Sequence, residues 1–418
     1  MTHFGLLCPA ASGHLNPMTT LGYELKQRGH RVTLVGTLDA QPKVSAAGLE
    51  LYPIGEIDYP AGSAAEALAK LGQLSGLAAF RYTVELFKEG TTLLLQEAPA
   101  AFQNAGVEAL LIDQTSFGGS TIAEVLDLPF ISVCCAMMIN RDPDVPPFNT
   151  AWSYRADWWA RRRNQLGHRL IDQLAKPITG LVDDYRRQHG LASFQHPNDA
   201  YSQLAQICQQ PAEFEYPRPL LPACFHFTGP FSNPASREPA AFPFDQLTGQ
   251  PLIYASLGTV QNRLLGTFQT IAEACQDLDA QLVISLGGGS PTESLPPLPG
   301  APLVVEFAPQ LELLLRAALT ITHAGMNTTL ESLSSGVPMV AIPIANDQPG
   351  VAARIAWTGT GEVVPLKQLN LSKLQHSIKQ VLTEASYKNH ALRLQKAIQQ
   401  AGGTKRAADI IEQAIASG

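Results

Sequence analysis

The sequence predicts an α/β protein in which two parallel sheets, each covered by helices, follow one another along the chain. Three observations lead there. At 418 residues the chain is longer than one hydrophobic core usually serves, so two domains are the default. Its 45% hydrophobic and 16% charged content suits globular cores. Short apolar runs also alternate with helical periodicity, and a proline-rich stretch interrupts the alternation once, as a pair of βαβ series would require.

In the first series, strands are expected at 4–9, 31–36, 109–113 and 130–134, with helices at 17–28 and 120–126. Residues of about 141–200 break the pattern and read as a helical insertion. The first domain is thus expected to span 1–225. A linker at 226–250 carries Pro230, Pro234, Pro239 and Pro243. Strands at 252–256, 281–286, 303–307, 319–322 and 339–342 then build a second domain over 251–400. The tail, 401–418, shows Ile410, Ile411, Ala414 and Ile415 on one helical face, which suits packing back towards the first domain.

Composition excludes several classes. A formal net charge of -7, with Arg161-Arg162-Arg163 as the one dense basic cluster, argues against a nucleic-acid partner. Six cysteines without zinc-like spacing suit free thiols. No run of eighteen apolar residues occurs, and no charged leader precedes the first strand, so a soluble cytoplasmic protein is expected.

The chemistry lies in the turns that follow strands. HAGMNTT, His323 to Thr329, joins a strand to a helix. Backbone N–H groups at a helix start, with the helix dipole behind them, favour an oxyanion. A plainer reading makes Asn327 the N-cap and His323 a loop histidine. Asp347 and Gln348 end the next strand and reach the same rim, where open α/β sheets bind ligands. In the first half, Gly13 permits a tight turn, Pro17 suits the first helical position, and His14 is displayed between them. Asp113 ends another strand and could orient the His14 imidazole as a base. Ser256-Leu257-Gly258-Thr259 and Gly287-Gly288-Gly289 could set backbone donors around phosphates, although neither is a Walker A or a dinucleotide fingerprint. Asp142-Pro143-Asp144 and Asp277-Leu278-Asp279 are short acidic patterns that read as surface turns.

Taken together, FAPQLELL, HAGMNTTLE, GVP and NDQ, with SGHLNP and LLIDQ in the first half, resemble the family 1 glycosyltransferases of the GT-B fold. VCCAMMINRDPDVPPF and NDQPGVAARI are most similar to bacterial carotenoid glucosyltransferases. The resemblance implies two Rossmann-like domains facing across a cleft, and transfer of a hexose from a UDP-sugar with inversion. His14 would be the base and Asp113 its orienting partner. It implies further that Phe307 stacks on uracil, Gln310 lies beside the nucleoside and Glu331 holds the ribose. His323, Gly325, Asn327 and Thr328 would bind the diphosphate with Thr259, and Asp347 and Gln348 the sugar. Phe307 and Met326 stand where plant members carry tryptophan. No resident cofactor and no metal are implied, UDP-glucose being a co-substrate.

A UDP-sugar epimerase and an NAD- or flavin-binding oxidoreductase are the competing enzymes, and a non-catalytic sugar-nucleotide sensor the competing binder. The apolar stretches 59–87 and 137–159 suggest a small lipophilic acceptor, carotenoid-like or polyphenolic. Trp152, Trp158 and Trp159 beside the arginine triplet suggest weak, reversible contact with the inner face of a membrane.

Overall fold

The computed structural model describes residues 1–74, 76–259, 264–288, 292 and 295–417. The first domain runs β1 (His3–Leu7), α1 (Ser12–Gln27), β2 (Arg31–Gly36), α2 (Gln41–Ala46), β3 (Glu50–Pro53), α3 (Ser63–Gln73) and α4 (Gly76–Ala105). It continues with β4 (Ala109–Asp113), α5 (Gly119–Val125), β5 (Phe130–Cys134), α6 (Trp158–Gln188), β6 (Gln206–Cys208) and β7 (Phe225–Phe227). Its sheet has the order β3-β2-β1-β4-β5-β6-β7, and every neighbouring pair is parallel. Strands covered on both faces must be apolar at every position. Accordingly Phe4 and Leu6 enter one core while Leu7 enters the other, and Leu111 is separated from Leu110 and Ile112 in the same way.

The second domain comprises β8 (Leu252–Ser256), α7 (Leu265–Cys275), β9 (Gln281–Ser285), β10 (Leu303–Val305), α8 (Gln310–Leu314) and β11 (Ala317–Thr322). There follow α9 (Met326–Ser334), β12 (Met339–Ala341), α10 (Gln348–Thr358), β13 (Gly361–Val363), α11 (Leu371–Thr383) and α12 (Ala385–Ala401), after which α13 (Gly403–Ser417) returns to the first domain. The strand order is β10-β9-β8-β11-β12-β13, again parallel throughout.

Several expectations need correcting. α1 begins at Ser12, so Pro17 lies inside the helix and His14 on its first turn. The N-cap of α9 is Gly325, not Asn327, and no side chain caps it. The insertion contains one 31-residue helix rather than several. The first sheet continues to Phe227, two residues into the stretch expected as linker. The short strands β3, β6, β7 and β13 were not expected, because three or four residues carry too little periodicity to read. Gly289, the last of the glycine run, lies outside the described residues.

α13 is chemically part of the first domain. Ala407, Ala408, Ile410 and Ile411 are buried in the same core as Phe4, Leu15 and Met18. Arg28 on α1 reaches Asp409 at 2.7 Å and Glu412 at 2.9 Å. These ion pairs are partly exposed and contribute little beside the apolar contact. Ile411→Ala is therefore expected to destabilise the first domain by about 2–5 kcal/mol, the usual cost of emptying a buried aliphatic site. Urea denaturation followed by tryptophan fluorescence measures it, and a loss below about 1 kcal/mol would show that α13 adds no core.

Candidate active site

Each sheet reverses its direction of growth once, between β1 and β4 in the first and between β8 and β11 in the second. Loops leaving the carboxyl ends of such neighbours diverge and open a crevice. In the first crevice His14 Nδ1 lies 2.8 Å from Asp113 Oδ2. Asp113 Oδ1 accepts from the Thr115 amide at 2.8 Å and the Thr115 hydroxyl at 2.6 Å. Asp113 is 1% exposed and His14 19%. A carboxylate so supplied with donors stays ionised and accepts a hydrogen bond from Nδ1–H, which leaves Nε2 as the basic nitrogen. Burial alone would lower the His14 pKa, but the charge and hydrogen bond of Asp113, aided by the Asp347 charge, raise it above the ordinary value. Burial works to raise Asp113, and His14 and Thr115 together bring it below its ordinary value.

The second crevice holds the other expected residues. His323 follows β11, and its ring is wedged between two glycines. A Cβ on Gly258 would lie 2.6 Å from Nε2 and one on Gly325 would lie 2.4 Å from it. Both positions therefore need glycine for the imidazole to enter. Burial pushes the His323 pKa down to about 4, against an opposing pull from the Ser256 backbone, so the ring is neutral at pH 7. Thr259 lies exposed in the turn after β8, and Thr328 is buried on the first turn of α9. Phe307 is 54% exposed and lies over the turn at Gly288, where a Cβ would be 2.3 Å from the ring. Gln310 accepts from the Tyr254 hydroxyl at 3.1 Å and donates to Glu331 Oε2 at 2.6 Å. Glu331 Oε1 accepts from Arg237. An ionised carboxylate has about four acceptor sites, so Glu331 keeps capacity for further hydroxyl donors.

Asp347 and Gln348 play different structural parts. Gln348 Oε1 accepts the amides of Ile344 and Ala345 at 2.8 and 2.9 Å, pinning the loop before α10. Asp347 Oδ2 accepts the Met137 amide of the first domain at 3.1 Å. Burial raises the Asp347 pKa, opposed by that hydrogen bond and the His14 charge.

The two crevices form one cleft of about 2830 Å³, lined by His14, Asp113, Phe307, His323, Asn327, Glu331 and Asp347 among others. Small-molecule pockets usually hold about 300–1,000 Å³, so this cleft has room for two substrates together. Asn327 links its halves: Nδ2 donates to the Gly13 carbonyl at 3.0 Å and Oδ1 accepts from Gln209 at 2.9 Å. Sequence reasoning named Gly13 only for a tight turn and missed Gln209, Met137 and Arg237. For Gly13 a signal existed. In a helix its carbonyl would accept the amide of residue 17, and Pro17 has none, so the carbonyl is free to bind elsewhere. Among the described residues no group of three or more metal-ligating side chains gathers. Asp142 Oδ1 accepts the Asp144 amide at 2.9 Å, and Asp279 accepts from Gln250 at 2.9 Å.

The charge balance at His14 has a direct test. The wild-type imidazole is expected to titrate above 6.5, and Asp113→Asn removes the main cause of that elevation, so burial then carries the value below 6.5. Histidine-resolved NMR titration reads both, and an unchanged midpoint in Asp113→Asn would show that the two groups are uncoupled.

Known proteins resemble this chain along its full length. Residues 184–401 match the family model described as UDP-glucoronosyl and UDP-glucosyl transferase. The chain is 33% identical to zeaxanthin glucosyltransferase of Pantoea ananas, covering 100% of this chain and 97% of that one. With the enzyme of the same name from Pseudescherichia vulneris it is 34% identical, with 100% and 98% covered. The kitacinnamycin glycotransferase superposes with a TM-score of 0.77 at 22% identity, over 99% of this chain and 98% of the other. The chain therefore belongs to the family 1 UDP-glycosyltransferases, hexosyltransferases of the GT-B fold that move a sugar from a nucleotide donor.

Proposed function

We propose that this enzyme transfers glucose from UDP-glucose to a hydroxyl of a small lipophilic acceptor, with inversion at the anomeric carbon. The observation that carries the reading is the 2.8 Å contact of His14 Nδ1 with Asp113, which leaves Nε2 basic at the cleft. Nε2 takes the acceptor's hydroxyl proton, the freed oxygen forms its bond to the anomeric carbon, and the bond from that carbon to the β-phosphate oxygen breaks. UDP leaves with the electron pair. Asp113 stabilises the imidazolium formed, and an α-linked donor yields a β-glycoside. On this reading Phe307 stacks on uracil, Gln310 lies beside the nucleoside and Glu331 takes the ribose. Thr259, His323, Gly325, Asn327 and Thr328 serve the diphosphate, with the positive end of the α9 dipole supplying charge that a metal would otherwise bring. Asp347 and Gln348 take the sugar hydroxyls.

The acceptor reading is supported by the wall of the first domain, where Leu68, Leu71, Phe87, Leu94, Ile178 and Val182 line the cleft. The relatives named as zeaxanthin glucosyltransferases favour glucose as the sugar and a hydroxylated carotenoid as the acceptor. Work at the cytoplasmic face of a membrane, through weak peripheral contact, belongs to the same reading, because such alcohols dissolve in lipid rather than water. An epimerase would alter the donor without an alcohol, so UDP release that depends on the acceptor separates the two.

With hydroxylated carotenoids, sterols and flavonoids as acceptors and mass spectrometry as readout, His14→Ala is expected to lower kcat/KM by about 100-fold or more, a general base's usual contribution. UDP affinity should hardly change. Turnover near wild type would remove His14 as the base. Activity is also expected to persist in excess EDTA, and a loss restored by magnesium or manganese would overturn the metal-free clamp.

A further inference from the structure

We propose that the outer face of α6 is a docking surface for an anionic lipid bilayer that delivers the acceptor into the cleft. The proposal rests on the lipophilic-acceptor reading and adds the surface, its polarity and its route inward. Of the tryptophans that suggested membrane contact, Trp152 is half-buried, with the Arg163 guanidinium 4.8 Å from its ring. The arginine triplet also does not act together, because consecutive helical residues point about 100° apart. Arg161 faces Asp144 at 3.5 Å and Arg163 is drawn to Trp152, so Arg162 alone of the three faces solvent without a partner among the described residues.

The structure assigns a different and longer face. Trp159, Leu166, Leu170 and Leu174 are 62%, 64%, 61% and 40% exposed. Their spacing confines them to about 80° of the helix circumference, and Pro177 continues the row. About 60° to one side run Arg162, Arg169 and Lys176, seven residues apart, all exposed and with no acidic partner among the described residues. An apolar stripe bordered by a row of cations is the geometry of a helix lying in a bilayer interface. In a chain of net charge -7 it is also a local reversal of sign that suits anionic headgroups. An antiparallel second copy of this chain fits less well, since a two-fold contact of that kind centred on the stripe would set the cation row against itself.

The stripe leads to the site. Leu174 and Lys176 belong both to this face and to the lining of the cleft, and Ile178, on the buried side of the same helix, continues the apolar wall inward. A lipid-dissolved alcohol can thus pass along one helix from bilayer to cleft without crossing water.

Co-sedimentation of the full chain, without acceptor, with phosphatidylglycerol-containing and pure phosphatidylcholine vesicles tests this. Wild type is expected to bind the anionic vesicles, more weakly as salt rises. Leu166→Ser/Leu170→Ser and Arg162→Gln/Arg169→Gln are each expected to weaken binding about tenfold or more, while turnover of a water-soluble alcohol acceptor stays unchanged. Absence of wild-type binding at low salt, or variants that bind like wild type, would overturn the proposal. So would a wild-type dimer that the serine variant dissociates, which would make the face a self-association surface. A protein that binds vesicles yet glucosylates only soluble alcohols upholds the docking face and removes the lipophilic-acceptor reading alone.

Discussion

The parallel pairing of β1 with β4, and its counterpart between β8 and β11, is the constraint on which the site depends. Leu7 pairs with Ile112 in the first sheet and Ser256 with Thr322 in the second. Residues far apart in the chain thereby leave their strands side by side, His14 near Asp113 and Gly258 near His323. A slip of one residue along β4 would turn the Asp113 carboxylate to the opposite face of the sheet. The hydrophobic pattern alone does not oppose that slip, because Leu110 and Ile112 fill one core and Leu111 the other; the close packing of these particular side chains does. The register that packs the core is thus the register that builds the dyad.

A second constraint fixes the two crevices against each other. Asn327 spans them through the carbonyl that Pro17 leaves unbonded, and Asp347 holds the Met137 amide. Behind the cleft, Glu215 and Arg354 form an ion pair with both side chains 1% exposed. Such pairs contribute orientation more reliably than net stability, since desolvation offsets the attraction. Burial acts to raise the Glu215 pKa, yet Arg354 and Arg218 hold it to about 2. With a depressed folded-state pKa, its contribution is complete above the ordinary carboxylate range and is lost only as the pH falls towards 2. Near neutrality the domain contact does not titrate at this point.

Much of the architecture was legible because long apolar strands and helix periodicity are local signals. The gathering of the polar turns was legible too, since His14, Asp113, His323 and Asp347 all follow strands of parallel sheets and so come to line one cleft. Illegible were the contacts made by atoms without a side-chain signature. The Gly13 carbonyl and the Met137 amide are backbone groups, and Arg237 lies in a proline-rich stretch that offered no period to read. The arginine triplet misled for a geometric reason: adjacency in sequence was taken as adjacency on a surface, which a helix forbids. The cations that do align, Arg162, Arg169 and Lys176, are spread over fifteen residues and become a row only once α6 is known to be one helix.

The protonation state of His323 has a consequence for the proposed reaction. Held near a pKa of 4 by burial, it is a neutral hydrogen-bond donor rather than a cation. The diphosphate gains negative charge as the sugar bond breaks, so any donor aimed at it stabilises the transition state more than the bound donor sugar. A fixed cation there would do the same but would also hold the departing UDP more tightly, because charge-assisted hydrogen bonds are about twice as strong as neutral ones. A neutral imidazole, wedged rigidly between Gly258 and Gly325 and working with the partial charge at the start of α9, divides these demands. On the proposed reading it would stand in advance where charge develops, without adding a full charge to the grip on the product.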